Sequence, residues 1–188
     1  MFIFNFQRWD VFKALQTYVR YMDAVSRFVG KITMYLVFVM MAILLYSSIS
    51  RTVFNAPVVW AVEMAQFTMA AYYILGGAFS MLLRSHVRMD VLYGKWKPRT
   101  RATVNAFTSF FLISYLVLLL YGGISSTAYS IQYGQTNYSA WAPPLAPIKL
   151  IMVFGILLML LQAVATFIKD VAKARGIDTF KAFGETLP

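Results

Sequence analysis

Glu63 is the acidic side chain closest to a long apolar stretch, and acids within membranes commonly carry protons or cations. It adjoins residues 64–83, which carry no charge, and Trp60 precedes it by about one helical turn. Arg51 ends the preceding apolar stretch, so both side chains would lie at the same end of a helical hairpin. Glu63 is therefore either a proton or cation carrier, as in very small exporters, or an interfacial ion-pair partner that orients the hairpin or a neighbouring helix. We favour the ion pair, because a carrier acid is expected deeper in the membrane and desolvated.

The densest polar cluster lies in residues 84–90, which read RSHVRMD. His86 and Asp90 are four residues apart and would share one face of a helix, while Arg84 and Arg88 would share another. Two ligands do not complete a metal site, so no metal centre is predicted here. A proton relay through His86 is an alternative. We favour a structured loop that bonds to the lipid interface or to a partner protein.

A third candidate is residues 134–147, which read GQTNYSAWAPPLAP. Proline and glycine impose an irregular backbone whose polar groups must be satisfied by water or protein. Trp141 suits the aromatic belt at a membrane surface, and Lys149 would open the next apolar helix. We interpret the segment as a rigid connection into that helix, with substrate contact as the alternative.

The residue inventory excludes most catalytic chemistry. The 188 residues include one histidine and no cysteine, which removes disulfides, thiolate metal sites and cysteine nucleophiles. We find no plausible Ser/His/Asp set, no pair of carboxylates within one apolar stretch and no glycine-rich phosphate loop. The sequence therefore predicts neither an enzyme nor a bound cofactor.

The composition predicts an integral membrane protein. Hydrophobic residues make up 60% of the chain and charged residues 13%, whereas a soluble domain is about half apolar and a quarter charged. Uncharged stretches of about 20 residues suffice to cross a hydrocarbon layer about 30 Å thick. The longest one, residues 102–148, turns polar and proline-rich in its second half, so it contributes one span only. The predicted spans are 30–51, 60–83, 103–123 and 148–168, followed by a tail at 169–188.

The basic residues predict the orientation of these spans. Of the 17 lysines and arginines, all but Arg51 and Lys149 fall in the N-terminal segment, the middle loop and the tail. By the positive-inside rule, both termini and the middle loop are cytoplasmic. The net charge of +10 is thus explained by topology and by attraction to anionic lipids, and no nucleic-acid partner is predicted.

Residues 9–29 show apolar side chains at helical spacing on one face and polar side chains on the other. This pattern predicts an amphipathic helix lying at the cytoplasmic membrane surface before the first span. Docking of the same helix on a partner protein is an equal alternative. The predicted fold class is an all-α integral membrane protein with four transmembrane helices and this N-terminal interfacial helix.

Three segments, in their order and spacing, resemble the small membrane subunit (DctQ type) of tripartite ATP-independent periplasmic (TRAP) transporters. They are residues 51–63 (RTVFNAPVVWAVE), 86–90 (HVRMD) and 139–149 (SAWAPPLAPIK). The resemblance extends over roughly residues 20–170. Family members often carry a second acid just before the position of Glu63, where this chain has Val62.

The resemblance implies a small permease subunit in the bacterial inner membrane. A periplasmic binding protein would deliver a carboxylate or sugar acid to a large, DctM-type membrane subunit, which moves it by a sodium-driven elevator motion. The small subunit would scaffold the large one and bind no cofactor, since sodium coupling would lie in its partner. The residues expected to shape the hairpin or to contact the large subunit or lipid are Arg51, Trp60, Glu63, His86, Arg88, Asp90, Trp141 and Lys149.

Two other functions stay open from the residues alone. The chain could be the membrane anchor of a redox or sensory complex, or a self-sufficient small exporter that depends on Glu63. Co-purification with a large, many-span protein would distinguish the transporter subunit from both.

Overall fold

The described part of the chain is built mainly from four α-helices. A computed structural model describes residues 3–83 and 98–174. The helices are α1 (Ile3–Val53), α2 (Val59–Leu82), α3 (Pro98–Gln132) and α4 (Ala146–Ala174). Within those two described stretches there is no β-strand, only an isolated bridge between Thr136 and Pro144. The predicted all-α class is confirmed.

Three of these helices are long and apolar enough to cross a membrane. The qualifying segments are Ala14–Val53, Phe107–Gln132 and Ala146–Ala172. At 24 residues, α2 would span about 36 Å, but it includes Glu63, Gln66 and two tyrosines and is not among the three. A fourth span at α2 therefore stays a prediction.

Consecutive helices run antiparallel. Gly76 of α2 lies beside Thr33 of α1, and Trp60 stacks on Tyr46 further along the same pair. α4 packs against each of the other three helices. The start of α1 and the end of α4 thus share one end of the array, here called the terminal end. The connections 54–58 and 133–145 lie at the opposite, loop end.

Glycines allow α4 and α1 to approach α2 closely. A Cβ atom on Gly155 would collide with Ile74 of α2, and one on Gly77 would lie 2.7 Å from Sδ of Met159. The two contacts follow the same order along both helices, so α2 and α4 run parallel. Small residues are a common means of close helix approach in membranes, where dispersion contacts drive association.

The N-terminal region differs from the predicted interfacial helix. Residues 9–29 are part of one continuous helix of 51 residues, about 75 Å long, instead of a separate helix in the membrane plane. Asp23, which the pattern places on the polar face, is buried and bonds to α4, as does the buried Ser26. Arg20 and Arg27 of the same face stay exposed, and Asp23 is buried because Lys169 and Gln162 of α4 bond to its carboxylate.

α3 is also longer than the predicted span. It continues to Gln132, nine residues past the predicted end of the span at residue 123. Serine and threonine do not break a helix when their hydroxyls bond to it, and Thr127 donates to the Gly123 carbonyl at 2.7 Å. The first proline after α3 is Pro143, so the helix continues further and the irregular connection is shorter than predicted.

Candidate functional site

The predicted site residues fall into two groups. His86, Arg88 and Asp90 lie outside the described residues. The others, which are Arg51, Trp60, Glu63, Trp141 and Lys149, all belong to the loop end. The structure therefore gathers five of the eight in one region of the array.

The turn between α1 and α2 is closed by its own hydrogen bonds. The Ser50 carbonyl accepts from the Ala56 backbone N–H at 3.2 Å, and the Ser50 hydroxyl donates back to the Ala56 carbonyl at 2.9 Å. Asn55 takes a left-handed backbone conformation (φ 49°), which asparagine tolerates better than most residues. Trp60 then stacks on Tyr46 with ring centroids 6.1 Å apart, so an aromatic contact fixes the hairpin here.

Glu63 and Arg51 do not form the predicted ion pair. Glu63 is 7% exposed, and its Oε2 atom is buried without a hydrogen-bond partner. Arg51 is exposed in the last turn of α1, where a cation is favoured by the helix dipole. Among the residues that the structure describes, the ion pair is formed elsewhere, between Lys169 and Asp23. Burying a carboxylate without a partner is costly.

A second buried polar atom, at about the same level along the helix array as Glu63, also lacks a hydrogen-bond partner among the described residues. Ser130 of α3 is 1% exposed and its hydroxyl makes no hydrogen bond within the described parts of the chain. The registers of α2 and α3 on α4 place Glu63 and Ser130 level with the beginning of α4. The loop end therefore buries two polar groups, from two helices, that the chain itself does not satisfy.

Lys149 attaches the long connection to α3. Its Nζ donates to the Ser126 carbonyl at 3.3 Å and to Oε1 of Gln135 at 2.9 Å. The Gln135 carbonyl in turn accepts from the Leu145 backbone N–H at 2.9 Å. Lys149 thus ties the start of α4 to the last turns of α3, a role that fits its predicted place at the opening of that helix.

The rest of connection 133–145 is an ordered, proline-containing turn. The Asn137 backbone N–H donates to the Pro143 carbonyl at 2.9 Å, and that of Ala142 donates to the Ser139 hydroxyl at 3.1 Å. Ala142 has φ 45°, which is strained for a residue with a Cβ atom. Trp141 is exposed at the surface of the turn, as a membrane-surface aromatic would be.

A polar network at the terminal end was missed by the sequence analysis. Asp23 accepts from Lys169 through Oδ2 at 2.7 Å and from Gln162 through Oδ1 at 3.0 Å. The Ser26 hydroxyl donates to Oε1 of Gln162 at 2.7 Å. Gln162 interrupts an otherwise charge-free apolar stretch, and a polar side chain at such a position usually has a partner in the membrane. That glutamine was the available signal.

The bonded polar side chains of both ends serve helix packing. In the described ranges, no group of three or more histidines, cysteines or acids could hold a metal ion. The polar side chains instead join one helix to another or lie at helix surfaces. The chemistry available is hydrogen bonding between helices, which fixes their relative positions.

Comparison with protein families gives a match over most of the chain. A family model described as "Tripartite ATP-independent periplasmic transporters, DctQ component" matches residues 40–173, well over half of the chain. The matched range begins inside α1, later than the roughly residue 20 at which the sequence resemblance began. No curated protein and no solved structure matches the chain.

Proposed function

Because the chain belongs to the DctQ component family of tripartite ATP-independent periplasmic transporters, we propose that it scaffolds the large, DctM-type subunit of such a transporter. That complex takes up a carboxylate or sugar acid delivered by a periplasmic binding protein, driven by sodium. The observation that carries the proposal is the hydrogen bonding of buried polar side chains between helices. Asp23, Gln162 and Lys169 bond to one another across α1 and α4, as expected of a rigid support.

The proposed topology has four spans with both termini in the cytoplasm. α2 runs antiparallel to the apolar segment of α1 and parallel to that of α4, with contacts at Gly76 and Gly77 along its length. A helix packed along two spanning helices is carried across the membrane with them. The distribution of lysine and arginine then orients the terminal end toward the cytoplasm.

A fixed scaffold needs anchors at a constant membrane depth. Trp60 and Trp141 provide interfacial aromatic anchors at the loop end, and Lys149 locks the α3–α4 connection between them. Helix tilt and rotation are set by such anchors and by packing against neighbours. The large subunit can then move its substrate site relative to a support that stays in place.

Deletion of the gene, followed by complementation, tests the proposed function. Uptake of radiolabelled dicarboxylates and sugar acids should be lost without this chain and restored with it. The chain should also co-purify with the large membrane subunit in mild detergent. Uptake by the large subunit and binding protein alone, or solute transport by this chain alone in liposomes, would contradict the proposal.

The burial of Glu63 favours one second candidate, a small exporter that works without partners. A carrier acid is expected to be desolvated, and Glu63 is 7% exposed. Glu63→Gln removes the ionisable group while keeping the size of the side chain. A scaffold with this substitution should keep most of its uptake activity, whereas a carrier would lose transport entirely.

A further inference from the structure

One face of α2 is not covered by the rest of the chain. Val62, Gln66, Met69 and Tyr73 follow one another at spacings of four, three and four residues, so they form a stripe along the helix. Val62 is 57% exposed, Met69 46% and Tyr73 63%, and Gln66 is also exposed. These four residues are here called the α2 face.

Gln66 makes the α2 face unsuited to lipid tails. Its carboxamide makes no hydrogen bond to any described residue, although Thr68 and Ser114 donate their hydroxyls to carbonyls of their own helices at 2.7 and 3.1 Å. Gln66 lies six residues beyond Trp60, about 9 Å deeper along the helix. With Trp60 at the membrane surface, the amide lies in hydrocarbon, where an unpaired polar group costs several kcal/mol.

The outer faces of α1 and α3 differ from the α2 face. At mid-helix α1 exposes Phe38 and Leu45, and α3 exposes Phe111 and Leu118, all of which lipid tails can solvate. The exposed amide of Gln66 therefore singles out α2 as the helix that needs protein beside it.

We propose that the α2 face docks against a transmembrane helix of the large membrane subunit, with Gln66 hydrogen-bonded to a polar side chain or backbone carbonyl of that helix. The inference rests on the proposed function and specifies where the partner binds. The large subunit is the occupant because the family to which the chain belongs is one component of a multi-part transporter. Met69 and Tyr73 supply apolar contacts on either side of the amide.

Single-cysteine variants test the location directly, because the chain contains no cysteine. Q66C and Y73C place a thiol on the α2 face, and F38C and L118C place one on the exposed faces of α1 and α3. Each variant is labelled with a maleimide photo-crosslinker in membranes that also contain the large subunit. Illumination should link the two α2 variants to the large subunit and leave the two controls linked to lipid only.

Each alternative outcome has a definite meaning. Crosslinks from L118C or F38C but not from the α2 variants would overturn the docking site while leaving the proposed function intact. Crosslinks between two copies of this chain through the α2 face would replace the large subunit with a homodimer contact. If no variant crosslinks to the large subunit and the two chains do not co-purify, both the docking site and the proposed function fail.

Gln66→Leu should lower binding of the large subunit without lowering the stability of the isolated chain. If Gln66 bonds to the partner, recovery of the large subunit should fall about threefold to tenfold, the range expected for an interhelical hydrogen bond, while the isolated chain unfolds at the same or a higher temperature. Ser114→Ala is the matched control, because that hydroxyl already bonds to its own helix. Unchanged recovery with Gln66→Leu would overturn the assignment of Gln66.

Discussion

The two ends of the helix array treat buried polar groups in opposite ways. At the terminal end, both carboxylate oxygens of Asp23 are bonded, one to Lys169 and one to Gln162. At the loop end, Glu63 and Ser130 each bury an oxygen that has no partner among the described residues. Among the described residues, the buried carboxylate of the terminal end is thus satisfied within one chain, whereas two buried polar groups of the loop end are not.

This contrast suits a subunit that must be rigid in itself and also joined to another protein. Polar groups left unpaired in a native structure usually have a functional reason. The exposed amide of Gln66 lies one turn beyond Glu63 on α2, toward the middle of the array. We therefore expect substitution of the bonded polar groups at the terminal end to weaken the chain. Substitution of the unpaired polar groups at the loop end should leave its stability unchanged or raise it.

Breaking the terminal network should have the largest effect. Asp23→Ala removes the carboxylate that bonds to the buried ammonium group of Lys169, and loss of one partner of a buried ion pair costs about 3–5 kcal/mol. Thermal unfolding of the purified chain in detergent should show a correspondingly large fall in stability. Arg27→Ala, an exposed position one turn along α1, is the matched control and should change little.

The double variant Asp23→Leu/Lys169→Leu sharpens the same prediction. Replacing both charges with apolar groups of similar size removes the buried charges but leaves the Gln162 amide without its Asp23 acceptor, so part of the lost stability should return. If the double variant is as unstable as Asp23→Ala, the ion pair is not the reason for the effect. A negligible effect of Asp23→Ala would remove the contrast between the two ends.

Glu63→Leu is expected to have the opposite sign. The substitution removes a buried, unsatisfied carboxylate oxygen, so the isolated chain should gain about 1–3 kcal/mol in its free energy of unfolding. Denaturation in mixed detergent and SDS micelles measures the change. Val62→Leu, at the exposed neighbouring position, serves as the control, and a loss of stability in Glu63→Leu comparable to that of Asp23→Ala would show that Glu63 is satisfied after all.

Lys149→Met should have an intermediate effect. The lysine loses its hydrogen bonds to the Ser126 carbonyl and to Gln135, and because the side chain is only partly buried we expect a cost of about 1 kcal/mol. Faster proteolysis within connection 133–145 would report the loosened attachment to α3. Unaltered cleavage would mean that the backbone bonds of the connection hold it without Lys149.

The sequence predicted helices better than helix partners. The uncharged stretch 150–168 indicated α4 because hydropathy depends on local composition alone. The burial of Asp23 could not be predicted in the same way, because amphipathic periodicity does not distinguish a face turned to water from one bonded to another helix. The decisive residues, Gln162 and Lys169, lie more than 130 positions away along the chain.

The sequence identified residues of the candidate site, but it did not predict which side chains contact one another. Trp60 and Lys149 were identified from their types and positions, since aromatics and cations concentrate at membrane surfaces. The pairing of Arg51 with Glu63, which the sequence left open, is not formed, since Arg51 is exposed at the end of α1 while Glu63 is buried. Side-chain direction depends on helix rotation, which neighbouring helices decide.

The smallest predicted effect concerns the backbone at the loop end. Ala142 has φ 45°, where an L-residue pays about 1–2 kcal/mol and glycine pays none, while a glycine costs about 0.4–1 kcal/mol through the unfolded chain. Ala142→Gly should therefore stabilise the chain by about 0.5 kcal/mol, the balance of these two effects. Ala140→Gly, exposed in the same connection but without a positive φ, should lose stability instead, because only the unfolded-state cost applies. Equal shifts in unfolding temperature for the two variants would mean that the loop end does not hold Ala142 in a strained conformation, and that its incompleteness is confined to the side chains of Glu63, Gln66 and Ser130.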